Sequence, residues 1–341
     1  MIAAGLPYRV PAAQAHERVV WPAAFGTRFI VFVDVEEEFD WSRPLARENR
    51  ATTAIRAFPD AHRRFADEGI GLACMVDHPV ATDPAAIDVL RRIVEDGRSE
   101  IGAQLHAWVT PPFDEPLTRA NSYPGNLPRA TEAAKLDALT DALSAAFGRR
   151  PRAYRAGRYG IGPATLALLA ARGYSVDTSM RARYDYRADG GPDFGTIGND
   201  AFRRDGVLEL PLTTVYTGAV RRVGPAAHTL AGRIPHARGL LARTGLVSRV
   251  ALTPEDMPIA DAREAVSVAI GEGERLLVFS FHSPSLEPGH TPYVRDADDL
   301  RRFHDWWAAM IAHLGKLGVR DTTLDEVVSA AGRTAAVPPG G

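Results

Sequence analysis

Cysteine is nearly missing from the chain: Cys74 is the only one among 341 residues, which excludes an internal disulfide and a cysteine-based zinc cluster. Cys74 itself lies in the apolar run GLACMV and reads as a core residue. Lysine occurs only at Lys135 and Lys316, so the positive charge is almost all arginine, a matter of composition rather than function. No apolar stretch approaches the roughly 18–20 residues that cross a bilayer. Residues 1–30 lack an apolar core preceded by positive charge, and the expected compartment is the cytoplasm. A formal net charge of −2 supplies no global field for nucleic acid, which is not expected as a partner. A lysine-bearing phosphate loop of the G-x-x-x-x-G-K-[ST] kind is also absent, which argues against nucleotide hydrolysis. The sequence leaves the oligomeric state open.

What is present is ordinary globular material, 45% hydrophobic and 24% charged. Short β-rich runs alternate with stretches of helical period, the pattern of an α/β chain with a parallel sheet or barrel and helices outside. The strand candidates start at Arg28 (RFIVFVDVE), Gly71 (GLACMVD), Glu100 (EIGAQLH), Arg152 (RAYRAG), Tyr174 (YSVDTS), Val207 (VLELPL), Arg275 (RLLVFSFHS) and, more weakly, Gly318 (GVRDTT). Helices are expected near 50–68, 84–96, 130–147, 163–172, 259–272 and 296–315, with Asp83 and Asp296 as caps. Seven or eight βα units predict a (β/α)7–8 barrel, preceded by an extension, 1–27. Segments 109–128 and 180–202 break the rhythm and are candidate walls of a site. The arginine-bearing segment 218–258 is expected to form short helices over one barrel end, within reach of a membrane surface, a partner or an anionic substrate. Residues 333–341 form a small, Pro/Gly-rich tail expected to be mobile.

Strand alternation places Ile30, Phe32, Asp34, Glu36 and Glu38 on one face of the first strand, apolar at its start and acidic at its C-terminal end. Catalytic groups of barrels sit at that end of the strands. Asp34 and Glu36 repel one another unless a cation holds one or one has a raised pKa. Glu37 and Glu38 carry no clear assignment. Gln104 and His106 share a face at the end of the third strand, and imidazole with carboxylate suits zinc or a related divalent ion. His282 ends the strand from Arg275 and could protonate a leaving group. Arg155, ending the fourth strand, could hold Asp34 ionised, and backbone N–H groups around Arg158–Gly160 could face an oxyanion. Trp108, Tyr159, Asp77, Glu287 and His290 are candidate pocket residues.

The ordered set VDVEEEFDW, EIGAQLHAW, YRAGRYGIG, SVDTS, LELPL and FSFHSPSLEPGHTPYV resembles the polysaccharide deacetylase superfamily with NodB homology, and within it the WalW-like branch. The resemblance spans about residues 28–325 and implies a distorted (β/α) barrel that uses a divalent metal, often zinc, to remove the N-acetyl group of an amino sugar. It implies Asp34 as general base, Glu36 and His106 as metal ligands, Arg155 as the residue orienting the base and His282 as general acid. With such a substrate, Trp108 could stack on a sugar ring. The family's second metal histidine lies four residues from the first, but those positions here are Gly102 and Thr110. Gln104 is left as a weak, uncharged ligand, with Asp77, His282 or water completing the set. Two rival readings stay open: hydrolysis of another linear or cyclic amide C–N bond, and a non-catalytic protein that binds a saccharide or assists glycan assembly.

Overall fold

A computed structural model describes residues 7–232, 234 and 236–332. The tail from 333 lies outside the described residues. The barrel is built on eight parallel or near-parallel strands: β1 (Arg28–Val35), β2 (Leu72–Val76), β3 (Glu100–Leu105), β4 (Ala153–Ala156), β5 (Val176–Asp177), β7 (Val207–Glu209), β10 (Leu276–His282) and β11 (Arg320–Asp321). These coincide with the eight runs read from the sequence. Three strands were not expected: β6 (Phe202–Arg204), antiparallel to β7, and β8 (Thr214–Thr217) with β9 (Ser248–Ala251), which form a separate hairpin. All three are short: β9 lies inside segment 218–258, β6 begins at the end of segment 180–202, and β8 ends just before segment 218–258.

The nine-stranded sheet runs β10-β1-β2-β3-β4-β5-β7-β6, with β11 also on β1. It curls until its ends are joined by irregular chain: Thr213 N–H donates to Val278 O, Leu252 N–H to Thr213 O, and Ser280 N–H to Leu252 O. Alternation sorts the core into two compartments. Ile30, Phe32, Met75, Val176, Leu208 and Val278 fill the interior, whereas Val31, Val33, Cys74 and Phe279 face the helices. Asp34 continues the interior row of β1.

The helices outside are α1 (Phe58–Ala66), α2 (His78–Thr82), α3 (Pro84–Ile93), α4 (Arg129–Phe147), α5 (Thr165–Ala170), α6 (Gly224–Ala231), α7 (Ala237–Arg243), α8 (Ile259–Gly271), α9 (Ala297–Lys316) and α10 (Leu324–Ala331). Asp83 accepts from Ala85 N–H with Pro84 at the first helical position, and Asp296 accepts from Asp298 and Asp299 N–H, so both expected caps form. α10, unexpected from the sequence, opens with a reciprocal Thr323/Glu326 capping box and sends Leu324 and Val327 into the interior cluster. In segment 218–258, α6 and α7 pack on the β8–β9 hairpin. The expected short helices are thus present, and the segment adds one unexpected strand, β9, which pairs with β8 just before it.

Candidate active site

Parallel register brings the first polar residues together. β1 against β10 sets Asp34 beside His282, and β3 against β4 sets Gln104 beside Arg155. Asp34, Glu36, Gln104, His106 and Arg155 are all buried. With His282 they come from the C-terminal ends of four strands, β1, β3, β4 and β10, and meet at one barrel mouth.

On one side of the mouth, Arg155 Nη1 donates to Asp34 Oδ1 at 2.6 Å and to Ser280 Oγ at 2.5 Å, while Nη2 donates to Thr178 Oγ1 at 3.1 Å. The guanidinium is thus anchored on three strands and charge-assists one carboxylate oxygen. The other oxygen, Oδ2, lies 3.7 Å from His282 Nε2. Nδ1 of His282 is 2.7 Å from Glu255 Oε2, and Glu255 Oε1 accepts from the His282 backbone N–H and from Ser285 Oγ. Burial alone would lower the His282 pKa. Glu255, Glu36 and Asp34 outweigh it and push it up to about 10. Glu255 was not foreseen, because it follows β9 in irregular chain where no period marks a face.

On the other side stand Glu36, Gln104 and His106. Gln104 Nε2 is 3.2 Å from Glu36 Oε2 and 3.2 Å from His106 Nε2, and those last two atoms are 3.4 Å apart. A tetrahedral zinc with bonds of about 2.0–2.1 Å has ligand–ligand edges of roughly 3.3–3.4 Å. The three side chains therefore have the spacing of one face of such a site. Two further observations fit a cation. Glu36 Oε1 and Gln104 Oε1 are buried without any hydrogen-bond partner, and a half-turn of the amide would exchange its nitrogen for that oxygen. The His106 ring is held from behind, with Nδ1 2.7 Å from Glu37 Oε2, an arrangement that leaves the lone pair of Nε2 facing the mouth as a metal ligand. Burial pushes Glu36 up to about 7, against the pull of His282 and His106. It pushes Glu37 up to about 8, with the Glu36 charge adding to the effect. Asp34, Glu36 and His282 form a second group with metal-ligand proximity, as do Glu37, Asp77 and His106.

Several expected pocket residues have other surroundings. Trp108 is 1% exposed, and its ring stacks on His106 at 4.2 Å under the edge of Phe39; no face is free for a sugar. Asp77 is buried, accepting from Val80 N–H as the cap of α2 and from Glu37 N–H, so it supports the glutamate behind His106 instead of meeting substrate. Glu287 pairs with Arg56 and His290 with Glu38. Glu38 also accepts from Ala54 N–H, so these pairs tie together the loops that form the rim. Gly160 N–H closes a turn on Gly157 O and is not available to an oxyanion. Tyr159 is half-buried beside the mouth. Trp41, not singled out in the sequence, lies edge-on to His282 at 5.2 Å and to Tyr293 at 5.6 Å, giving the mouth an aromatic rim.

The sequence matches no family profile and no curated protein. Among solved structures the chain is similar to a candidate polysaccharide deacetylase from Mycobacterium smegmatis, at 17% identity over 97% of this chain and 99% of that one, with a TM-score of 0.51. It is similar to the chitin deacetylase from Colletotrichum lindemuthianum at 12% identity, covering 93% and 92% of the two chains, TM-score 0.42. A CE4 family pseudoenzyme from Bacillus anthracis aligns at 7% identity over 89% of this chain and 66% of that one, TM-score 0.44. No helix among the described residues is long and apolar enough to cross a membrane. At these identities the likeness is one of architecture: the chain has the polysaccharide deacetylase fold, a curled α/β barrel, and the WalW-like branch is not singled out.

Proposed function

We propose that the chain is a metal-dependent, deacetylase-like amide hydrolase acting on an N-acetylated amino sugar or glycan precursor. The observation that carries the reading is the juxtaposition, at one mouth, of the Arg155–Asp34–His282–Glu255 chain with the Glu36, Gln104 and His106 triangle. Glu36, His106 and the Gln104 amide oxygen would hold the divalent ion, zinc being the best match to the spacing. When bound, the ion supplies Lewis acidity toward the carbonyl and acidifies water. The other steps belong to the chain. Asp34, oriented by the Arg155 hydrogen bond, takes the proton from the attacking water. His282 is protonated across the neutral range and gives its Nε2 proton to the departing amine as the C–N bond breaks. Glu255 fixes the ring and stabilises the imidazolium.

A second, non-catalytic reading has one observation in its favour. The Gln104 amide donates toward both Glu36 and His106, satisfying them with no ion. Elemental analysis of the purified protein, together with acetate release from N-acetylglucosamine oligomers, tests the choice. Zinc at about one equivalent, lost in Glu36→Ala and His106→Ala, with acetate release abolished in Asp34→Asn, is the expected result. A metal-free protein that releases no acetate with zinc added would instead leave a saccharide-binding barrel.

A further inference from the structure

Arg181 is a cationic side chain beside the mouth that the reaction does not use. It lies between the end of β5 and Leu212, with which it forms a β-bridge. Its guanidinium stacks over Tyr184 at 3.9 Å and reaches Tyr159 at 5.7 Å. A second arginine, Arg249 of β9, covers the same Tyr184 ring at 3.5 Å. Tyr186 stacks on both Tyr159 and Tyr184, at 5.8 and 5.9 Å. The Arg181 charge also acts on Tyr293, whose ring is stacked with His282 at 6.4 Å. The two arginines and four tyrosines therefore form one wall running from the turn after β4 to the general-acid side of the site. Each of the six is half-buried.

The wall is unusual in its charge balance. Arg155 in the same barrel is neutralised by Asp34, but among the described residues no carboxylate forms an ion pair with Arg181. Asp256 feels its field without coming to ion-pair distance. The Nε atoms of Arg181 and Arg249 are both buried with no hydrogen-bond partner. The known bonds of the two guanidinium groups are one from Arg181 Nη1 to the Tyr186 hydroxyl at 3.4 Å and one from Arg249 Nη1 to Arg183 O at 3.0 Å. A guanidinium has five N–H donors, and a desolvated cation left without an anion is costly. Stacking on tyrosine offsets part of that cost and holds the planar fork rigid. What the wall lacks is an oxyanion.

We infer that Arg181, backed by Arg249 across Tyr184, is an oxyanion subsite beside the catalytic mouth, so that the sugar substrate carries a phosphate or carboxylate. The inference rests on the reading of the mouth as a saccharide site. It does not require turnover. Calorimetric titration with N-acetylglucosamine, N-acetylglucosamine 1-phosphate and N-acetylmuramic acid tests it by binding alone. The protein as purified should bind at least one of the two anions tenfold or more tightly than the neutral sugar, and the preferred anion identifies the group. The preference should shrink with added salt. Arg181→Met should bring all three sugars to the affinity of the neutral one, Arg181→Lys should restore part of the preference, and Arg249→Met should weaken it. Unchanged binding of neutral sugar reports that the variants are folded. Equal binding of all three sugars by the parent protein, no measurable binding of either anion, or a preference that survives Arg181→Met would overturn the subsite. If the anion preference stands while no acetate is ever released, the hydrolase reading fails and the subsite remains.

Discussion

At the residue scale the site depends on groups that touch no substrate. His106 is wedged between Glu37 and Gly157: a Cβ at Gly157 would lie 2.4 Å from His106 Cδ2, closer than any real contact. Glycine is required there by the approach of the ring. Gly157→Ala should displace the imidazole, and Glu37→Gln should remove the carboxylate that fixes its tautomer; each is expected to weaken zinc binding by about 10–100-fold, measured by chelator competition. On the other side, Glu255 sets the working range of the general acid. Activity that needs protonated His282 is retained below its pKa and lost as pH rises through it, so kcat/KM should fall near pH 10 rather than near neutrality. Glu255→Gln removes the charge most responsible and should move that alkaline limb down by about one unit or more. A limb that stays in place in the pH–rate profile would detach His282 from the proton transfer.

At the scale of elements, one helix holds the irregular segment 109–128 against the barrel. Lys135 of α4 is fully buried. Its ammonium donates to Thr110 O at 2.6 Å and Pro112 O at 2.5 Å and pairs with Glu115 at 3.1 Å. Segment 109–128, which lacks regular structure of its own beyond two short turns, is fastened to the barrel this way. Arg47 joins it from the first loop by donating to Glu115 O and lying over Phe113. Removing one partner of a buried pair leaves the other charge and two carbonyls without donors. Lys135→Met should therefore cost about 3–5 kcal/mol in urea unfolding, a far larger effect than loss of an exposed pair such as Arg63 with Asp60.

At the scale of the whole molecule, the sheet has one exposed flank at β6, and the N-terminal extension covers it. Val19 N–H donates to Ala201 O and Arg203 N–H to Glu17 O. The Glu17 carboxylate grips the Arg204 guanidinium with two bonds of 2.8 Å. Val10 N–H and Asp193 O add a further tie. An uncovered strand edge is a template for intermolecular pairing. Deleting residues 1–20 should lower the melting temperature and produce concentration-dependent oligomers in light scattering; a monomer of unchanged stability would show that the strap is dispensable.

The sequence by itself determined the barrel and half of the site. The strand runs and the alternation of Ile30, Phe32 and Asp34 follow from local period, and a period places Asp34, Gln104, His106, Arg155 and His282 at strand ends whatever the rest of the chain does. The strands β8 and β9 escaped because four-residue pairs next to arginine-rich helices carry too little pattern. Glu37, Glu255, Arg181 and Trp41 escaped for a related reason: they lie in irregular chain, where side-chain direction is set by the partner and not by position along an element. Trp108 and Asp77 show the converse. Their residue types suit a sugar pocket, but only packing reveals that one lies against His106 under the edge of Phe39 and the other caps a helix. Local period is a one-dimensional property and can be read from the chain. Which buried carboxylate stands behind which histidine, and which arginine is left without a partner, is decided by distances between residues far apart in sequence, and those exist only once the barrel has closed.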